Sequence, residues 1–279
     1  KVGLVGATGY AGQQLLWILE KHKEVEIIFL SSNSYEGKDI SEVYKNYKNY
    51  YSKKLISQKD VETKLGEIDL LFVALPHGMS ETLAYKALGK NVKVIDLGAD
   101  FRLDDSDTYE NWYNVVHEYP EINKQAVYGQ PELYRKEIKE SNIIAAPGCY
   151  PTSAILGTAP LLKNNLVNTK SIIIDSKSGV SGAGRGLKVD SLFTEVNENF
   201  KAYNLFMHRH TPEIEQELGK AASSDVSVIF TPHLLPINRG ILSTIYLDLN
   251  KKITEEEVYK LYNEFYKNDY FVRITEELP

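Results

Sequence analysis

A glycine-rich turn between a strand and a helix opens the chain and constrains its fold more than any other stretch. The apolar run 1–5 leads into Gly6-Ala7-Thr8-Gly9-Tyr10-Ala11-Gly12, and residues 13–22 then carry leucine and isoleucine at helical spacing. A turn of this kind lets backbone N–H groups approach a pyrophosphate at the helix N-terminus. The spacing is G-x-x-G-x-x-G, not G-x-G-x-x-G, and it also fits a plain tight turn. In its strand–turn–helix context it favours dinucleotide binding.

The end of the second predicted strand, residues 25–30, indicates which dinucleotide. An acidic residue usually stands there in NAD-specific folds, to hold the ribose 2′-hydroxyl. This chain has Ser31-Ser32-Asn33-Ser34 and then Gly37-Lys38. Hydroxyls and a lysine suit a 2′-phosphate and therefore favour NADP. The alternative interpretation is a polar loop with ordinary turn residues.

Alternating strands and helices continue through the first half of the chain. Residues 68–75 and 92–97 are predicted strands, with a helix over 80–89 between them. This alternation predicts an α/β fold with a doubly wound parallel sheet of the Rossmann type, whose ligands lie at the carboxyl ends of its strands. Pro76 stands at one such end, beside the expected nicotinamide. His77 next to it is interpreted as a structural loop residue.

The only cysteine stands near the middle of the chain, in Pro147-Gly148-Cys149-Tyr150-Pro151-Thr152. A strand over 141–145 precedes it and an apolar helix over 154–162 follows. Proline suits the first turn of a helix, so Cys149 is predicted at a helix N-terminus. That position favours the thiolate, and the N–H groups there can stabilise an oxyanion. The alternative is a small buried apolar cysteine; the strand-to-helix elbow favours a nucleophile.

Two motifs follow the cysteine. The loop 176–186 after a strand over 171–175 combines hydroxyls, glycines and Arg185, a composition fit to wrap an anion, unless it is only a mobile connection. His208-Arg209-His210-Thr211-Pro212-Glu213 precedes a helix, with Thr211 as the expected cap. Two histidines and a cysteine also suggest a zinc site. Further ligands at motif spacing are missing, so no metal is predicted.

The remaining sequence predicts a second, α+β domain. Strands are expected over 226–232 and 240–249 and an amphipathic helix over 254–267. Domain 1–148 is predicted to bind NADP, and domain 149–279 to carry catalysis, the substrate site and oligomerisation. Residues 109–133 read as irregular, and the tyrosine- and lysine-rich stretch 41–66 as a solvated surface.

Composition excludes several function classes. The formal net charge of the 279 residues is −6, which argues against a nucleic-acid surface, and no apolar run is long enough to span a membrane. One cysteine excludes internal disulfides and suits a reducing compartment. The strand-like start lacks the features of a signal peptide, so a cytoplasmic location is expected.

With these motifs together, the chain resembles the N-acetyl-gamma-glutamyl-phosphate reductase family of arginine biosynthesis, in the semialdehyde dehydrogenase superfamily. The resemblance runs from residue 1 to residue 279 and implies NADP as cofactor, an acyl phosphate as substrate and a cytoplasmic homodimer or homotetramer. Family members normally continue past Pro279 with a strand and a helix that packs on the cofactor domain. Asn33 also stands where relatives often carry arginine.

Motifs and resemblance together assign the site residues. Catalysis is assigned to Cys149, His208 and His210, with His208 as the preferred acid/base. Cofactor contacts are predicted for Gly6, Thr8, Gly9, Tyr10, Ala11, Gly12, Ser31, Ser32, Lys38, Pro76, Ser178 and Gly179. Substrate or anion contacts are predicted for Arg102, Ser181, Gly182, Arg185 and Glu213.

The expected reaction is attack of the Cys149 thiolate on an acyl phosphate, followed by reduction of the thioester to an aldehyde. Three alternatives remain open. A lysine-pathway aminoadipyl-phosphate reductase would use the same residues on a substrate one methylene longer. An aspartate-semialdehyde dehydrogenase would share the architecture but not the histidine motif. A non-enzymatic NADP sensor would keep the glycine turn and need no reactive thiol.

Overall fold

The computed structural model describes residues 1–277, so residues 278 and 279 of the predicted second domain lie outside the described part. The chain forms two compact units. The first comprises 1–130, 134–147 and 183–187, and the second comprises 131–133, 148–182 and the described residues from 188 onward. The predicted boundary between 148 and 149 stays a prediction. No helix within 1–277 is long and apolar enough to cross a membrane.

The first unit is built on a parallel sheet. Its strands are β1 (Val2–Val5), β2 (Ile27–Ser31), β3 (Leu55–Ile56), β4 (Leu70–Val73), β5 (Lys93–Asp96), β6 (Val127–Tyr128) and β7 (Ile143–Ala145). Its helices, with the first turn of the last in the second unit, are α1 (Tyr10–Glu20), α2 (Ile40–Val43), α3 (Gln58–Lys64), α4 (Glu81–Leu88), α5 (Ser106–Tyr113), α6 (Pro120–Asn123) and α7 (Pro131–Glu140).

The strand order confirms the predicted doubly wound sheet. Among the described residues it runs β3-β2-β1-β4-β5-β7-β6, and each neighbouring pair is parallel. The chain winds outward from β1 on one side and from β4 on the other. The carboxyl ends of β1 and β4 therefore flank the point where the order reverses, which is where open α/β sheets bind ligands. All four residues of β1 are buried, as a central parallel strand requires.

The tyrosine-rich stretch 41–66 was expected to be a solvated surface, and for its core-facing residues this prediction is wrong. Tyr47 is fully buried and packs against Trp17, with ring centroids 6.2 Å apart. Its hydroxyl donates to the carbonyl of Gln13 at 3.1 Å, which removes most of the cost of burying a phenol. Tyr47 joins Leu16 and Leu30 in one apolar cluster. The stretch thus supports the first helix and the glycine turn before it.

The region 109–133, expected to be irregular, also contains regular structure. α5 begins after Asp105, whose carboxylate accepts from the N–H of Thr108 at 2.9 Å, and ends at Asn114 in the left-handed region. Tyr109 and Tyr113 lie one helical turn apart on the buried face and stack 4.9 Å apart. The helix is short and rich in aromatic residues, so its apolar periodicity is weak in the sequence.

The second unit has mixed architecture, which confirms the predicted α+β second part. Its elements are α8 (Cys149–Lys163), β8 (Val167–Gly179), α9 (Phe193–Val196), β9 (Lys201–Ala202), α10 (His210–Ala222), β10 (Val228–Leu235), β11 (Ile241–Leu249) and α11 (Glu255–Tyr266). The described strands form a sheet in the order β11-β8-β10-β9. β8 pairs in parallel with β10 and antiparallel with β11, while β10 pairs antiparallel with β9.

A proline inside α8 is compensated by a tyrosine of α11. Pro160 is buried and has no N–H, so the carbonyl of Leu156 cannot receive the usual helical bond from it. The hydroxyl of Tyr266 donates to that carbonyl at 2.7 Å. Tyr266 is itself buried, and the neighbouring Tyr262 hydroxyl donates to the carbonyl of Gly157. The two hydroxyls fasten α11 to the middle of α8.

An apolar row crosses one face of the second sheet. Ile173 pairs with Ile229 on one side and with Tyr246 on the other. Their relative exposures are 41%, 50% and 57%, values that residues of this kind rarely show on a covered sheet face. Leu242 and Leu249 of β11 are exposed as well. An apolar surface of this kind is typical of a protein–protein interface.

Candidate active site

The glycine turn is shaped by close approach of its own backbone. A Cβ on Gly12 would lie 2.2 Å from the carbonyl oxygen of Gly6, so only glycine allows α1 to sit this close to the turn. Gly9 is the N-cap of α1 in an extended conformation, and no side chain caps the terminus. The first turn of the helix carries no acidic residue. This helix end therefore fits the pyrophosphate of a dinucleotide.

The end of β2 is tied to the same turn. The carbonyl of Ser31 accepts from the N–H groups of Gly6 and Ala7 at 3.1 and 3.0 Å, so Ser31 shapes the turn through its backbone. The hydroxyls of Thr8 and Ser32 are hydrogen-bonded at 2.7 Å, and both residues are buried. Hydroxyls, with no carboxylate at the strand end, fit a phosphorylated ribose better than a ribose with a 2′-hydroxyl.

Lys38 and Arg185 lie near this strand end. The Lys38 ammonium is 5.6 Å from the ring centroid of Tyr35, and the Arg185 guanidinium is 5.3 Å from the same centroid. Arg185 also donates to the carbonyl of Thr8 at 2.9 Å. The predicted substrate or anion contact of Arg185 stays a prediction. Its contact with the glycine turn is explained by the place of residues 183–187 in the first unit, which sequence spacing does not reveal.

Cys149 is the first residue of α8, five residues earlier than the predicted apolar start at 154. Its side chain is exposed. Gly148, in an extended conformation, is the N-cap, and no side chain caps this helix end. A sulfur on the first residue of a 15-residue helix lies at the positive end of the helix dipole, next to the N-terminal backbone N–H groups of the helix. Both favour a thiolate and the oxyanion that forms when it attacks a carbonyl.

Glu213 was predicted to contact the substrate or an anion; that contact stays a prediction, and the structure shows a contact of its side chain with the backbone. Its side chain is fully buried on α10, and one carboxylate oxygen accepts from the N–H of Gly148 at 2.8 Å. A buried carboxylate that accepts from backbone holds that backbone in place. Glu213 therefore fixes the residue before Cys149. This role needs a partner 65 positions earlier in the sequence, which no local signal indicates.

The two histidines occupy different environments. A Cβ on Gly148 would lie 2.6 Å from Nε2 of His210, so the His210 ring lies directly against the residue that precedes Cys149. The His208 ring packs edge-on against Tyr150 and Phe230, with centroids 5.5 and 5.3 Å away. Its Nδ1 accepts from the backbone N–H of His210 at 3.1 Å. Burial, reinforced by neighbouring positive charge, lowers the pKa of His208 to about 3.

The start of α10 differs from the predicted one. The helix begins at His210 with Arg209 as N-cap, so the expectation that Thr211 caps it is wrong. Pro212 lies in the first turn as predicted, since that position needs no N–H. The shift by two residues puts His210 on the first helical turn, where its ring has a fixed direction.

The first residues of the loop after β8 use their backbone N–H groups in hydrogen bonds within the protein. The N–H groups of Gly179 and Ser181 donate to the carbonyls of Gly240 and Asn238, at 3.0 and 3.1 Å. An anion held there would have to be met by hydroxyl groups instead. Ser178 is buried, while Gly182 is exposed. The predicted cofactor role of Ser178 and Gly179, and the substrate role of Ser181 and Gly182, stay predictions.

Two hydroxyls near the cysteine helix were missed in the sequence. The hydroxyls of Tyr150 and Tyr203 lie 3.0 Å apart, and that of Tyr150 also donates to the carbonyl of His233 at 3.2 Å. Tyr203 packs against His208 with ring centroids 5.6 Å apart. These contacts hold the His208 ring from two sides. The tyrosine next to Cys149 was visible in the motif, but its partner 53 residues away was not.

The turn after β4 is held by Asp100, another residue that the sequence did not single out. Its carboxylate accepts from the N–H groups of Gly78 and Ser80 at 2.7 and 2.9 Å. The hydroxyl of Tyr109 donates to the same carboxylate at 2.9 Å. Pro76, the predicted nicotinamide neighbour, is exposed at the carboxyl side of β4. Asp100 thus fixes the shape of the turn in which Pro76 stands.

Arg102 was predicted to contact the substrate or an anion. It is buried, and its guanidinium donates to the carbonyls of Ala146 and Leu97 at 2.8 and 2.9 Å. Through these two hydrogen bonds, Arg102 joins the loop after β5 to the end of β7. Its predicted substrate contact stays a prediction.

Comparison with known proteins defines the class. Residues 1–141 match the family model described as the NAD binding domain of semialdehyde dehydrogenase, and residues 149–279 match its dimerisation domain. Aspartate semialdehyde dehydrogenase II from Vibrio cholerae has a similar fold, with a TM-score of 0.69 at 18% identity over 94% of this chain and 78% of that chain. The chain thus has the two domains of the semialdehyde dehydrogenase family.

Closer relatives identify the particular family. A protein of Clostridium novyi named N-acetyl-gamma-glutamyl-phosphate reductase is 51% identical over 278 residues, covering 100% of this chain and 81% of the relative. A protein of the same name from Pelotomaculum thermopropionicum is 54% identical, covering 98% of this chain and 79% of the relative. The chain belongs to the N-acetyl-gamma-glutamyl-phosphate reductase family.

Proposed function

We propose that the chain catalyses NADPH-dependent reduction of N-acetyl-gamma-glutamyl phosphate to N-acetylglutamate 5-semialdehyde and phosphate, in arginine biosynthesis. The full-length likeness to reductases of that name supports this reaction. The observation that carries it is the exposed thiol of Cys149 on the first residue of α8, directly after Gly148, against which the His210 ring lies. The glycine turn and the hydroxyls of Thr8 and Ser32 would hold the cofactor.

The sulfur of Cys149 begins the reaction. It attacks the acyl carbon, a C–S bond forms, and the C–O bond to phosphate breaks with its electron pair leaving on phosphate. The product is a thioester on the enzyme. NADPH, when bound, supplies the hydride that reduces this acyl carbon. The C–S bond then breaks, and the aldehyde leaves while the sulfur returns to the thiolate.

His210 is the residue suited to move the proton at the substrate oxygen. Its Nε2 faces the residue before the nucleophile, whereas Nδ1 of His208 is occupied by a backbone N–H. The sequence favoured His208 for this task. A histidine with a pKa near 3 carries almost no proton at neutral pH and is a poor general acid. His208 instead orients the backbone from which His210 projects.

The second unit would also join two copies of the chain. The exposed apolar row of Ile173, Ile229 and Tyr246 gives a surface on which a second copy can pack, and the matching family model is a dimerisation domain. These two observations support a homodimer or a homotetramer. A single cysteine in a thiol-dependent enzyme also favours the reducing cytoplasm.

The proposal is tested in the reverse direction, with N-acetylglutamate semialdehyde, phosphate and NADP, against the homologue one methylene longer. We expect turnover to depend on phosphate and to favour the shorter substrate. Cys149→Ser should lower turnover by roughly 10⁴-fold or more, as loss of a covalent nucleophile does, while NADPH still binds. Preference for the longer aldehyde would assign the lysine-pathway reaction, and appreciable activity of Cys149→Ser would refute covalent catalysis.

The histidine roles are separated by two matched variants. His210→Asn should lower the rate of hydride transfer by roughly 10²–10⁴-fold, the usual contribution of general acid–base catalysis. His208→Asn should act less on rate and more on the thermal stability of the second unit. The opposite pattern would assign the role of general acid/base to His208.

A further inference from the structure

Arg185 is held in a defined position on the first unit, although the chain segments around it belong to the second. One guanidinium nitrogen donates to the carbonyl of Thr8 at 2.9 Å, and the other terminal nitrogen donates to the hydroxyl of Tyr35 at 3.3 Å. Its central carbon lies 4.7 Å from the ring centroid of Tyr44 and 5.3 Å from that of Tyr35. Two aromatic rings and two acceptors fix the plane of the group.

Arg185 lies near the end of β2, where folds of this kind bind the ribose of their cofactor. Thr8, to which it donates, is hydrogen-bonded through its hydroxyl to Ser32 at the end of β2. Tyr44 also donates to the carbonyl of Thr8, at 2.9 Å. Lys38 brings a second positive charge to the ring of Tyr35. Two cations and two hydroxyls therefore gather at the strand end that recognises the ribose in this kind of fold.

Asn33, directly after Ser32, cannot supply positive charge there. It is neutral, and its side chain is bound to Gln58. Its Nδ2 donates to Oε1 of Gln58 at 2.8 Å, and its Oδ1 accepts from the backbone N–H of Gln58 at 3.2 Å. A phosphate on the ribose must be neutralised by groups from elsewhere in the chain. A guanidinium is suited to this, because its planar donors match phosphate oxygens and its charge persists at all relevant pH.

We infer that Arg185, with Lys38 beside it, recognises the 2′-phosphate of NADP and sets the preference for NADP over NAD. The inference rests on the proposed cofactor, not on the proposed acyl substrate. The loop 183–187 would then act as part of the cofactor site although it follows the catalytic cysteine in the sequence. Its tyrosine supports, Tyr35 and Tyr44, hold the guanidinium in place before the nucleotide arrives, which reduces the ordering cost of binding.

The test measures binding, without turnover. Titration calorimetry of the full chain with NADPH, NADH, 2′-AMP and 5′-AMP separates the phosphate from the rest of the nucleotide. Arg185→Gln should lower the affinity for NADPH and for 2′-AMP by roughly tenfold to a hundredfold, the range expected for hydrogen bonds to a charged group. NADH and 5′-AMP should change less than about twofold. Lys188→Gln, an exposed lysine three positions on, is the charge-matched control and should leave all four unchanged.

Arg185→Lys provides a second, milder variant that keeps the charge and loses the planar guanidinium. Its affinity for NADPH should lie between that of wild type and that of Arg185→Gln. Equal weakening of NADPH and NADH would overturn the inference and assign Arg185 to the pyrophosphate or to the turn. Unchanged NADPH binding in both variants would overturn it as well. Wild-type protein that prefers NADPH but reduces no acyl phosphate would refute the proposed reaction and leave this inference standing.

Discussion

Acid should destabilise the second unit through His208. The folded pKa of this histidine is about 3, against 6.5 for the ordinary side chain, because burial among aromatic rings disfavours its cation. In the unfolded chain it takes up a proton as pH falls below 6.5, whereas in the folded chain it does not. Stability is therefore complete above pH 6.5 and is lost as pH falls from there toward 3.

The size of the effect follows from the gap between the two values. About 3.5 pKa units correspond to about 5 kcal/mol if the whole window is crossed, at 1.36 kcal/mol per unit. Between pH 6.5 and pH 4.5 the loss should be about 2 kcal/mol. A loss of that size is a large part of the total stability of an ordinary domain. Carboxylates titrate alike in wild type and in variants at position 208. The difference in stability between them therefore reports on His208 alone.

The assay must report on the second unit alone. Both tryptophans, Trp17 and Trp112, lie in the first unit, so tryptophan fluorescence does not serve. Hydrogen exchange of the peptide covering α10, followed by mass spectrometry, measures local opening. Wild type is compared with His208→Gln at each pH, so the intrinsic exchange rate cancels. The protection of wild type relative to the variant should fall by close to tenfold for each pH unit below 6.5.

Two outcomes would refute this reasoning. Parallel protection curves for wild type and His208→Gln between pH 7 and 4.5 would mean that His208 does not titrate differently in the folded chain. A wild-type advantage that grows as pH falls would mean that the folded pKa of His208 is raised, not lowered. His210→Gln serves as the neighbouring control for a general effect of removing a histidine.

Three further changes test other contacts. Gly12→Ala puts a methyl group 2.2 Å from a backbone oxygen of the turn, and should weaken NADPH binding by roughly tenfold or more in calorimetry; Gly66→Ala, in open space, should not. Ser32→Asp should reverse or erase the preference for NADPH over NADH in the same titration, and an unchanged ratio would refute that site for the phosphate. Glu213→Ala leaves the Gly148 N–H without its acceptor and should cost about 1–3 kcal/mol in thermal unfolding; Glu213→Gln should cost less, and equal losses would contradict the assigned contact.

Local chemistry made part of this molecule predictable. The glycine turn and the strand–helix alternation depend on short-range geometry, and they correctly gave the doubly wound sheet. Cys149 at a helix N-terminus follows from the prolines and glycine around it, and the structure starts α8 at that residue. Helix ends were less predictable. Thr211 has the chemistry of a cap, but its backbone N–H donates to the carbonyl of His208, and the helix begins earlier, at His210.

The rest depended on partners distant in sequence. Arg185 contacts Thr8 across 177 positions, and Glu213 reaches Gly148 across 65. Both have side chains that suit an anion site and a buried hydrogen bond equally well, so residue type alone could not choose. Tyr47 was taken for a surface residue because its neighbours are polar, and only the Gln13 carbonyl and Trp17 explain its burial.

The bond from Tyr266 to the carbonyl of Leu156 joins residues 110 positions apart, so it affects the order of events during translation. The helix that carries Cys149 leaves the ribosome well before α11 exists. Until α11 is present, the carbonyl of Leu156 has neither the N–H that Pro160 lacks nor the hydroxyl of Tyr266 as a donor. A nascent chain thus presents its thiol on an incomplete helix. α11 completes it, so the helix that carries the nucleophile depends on a residue 110 positions further along the chain.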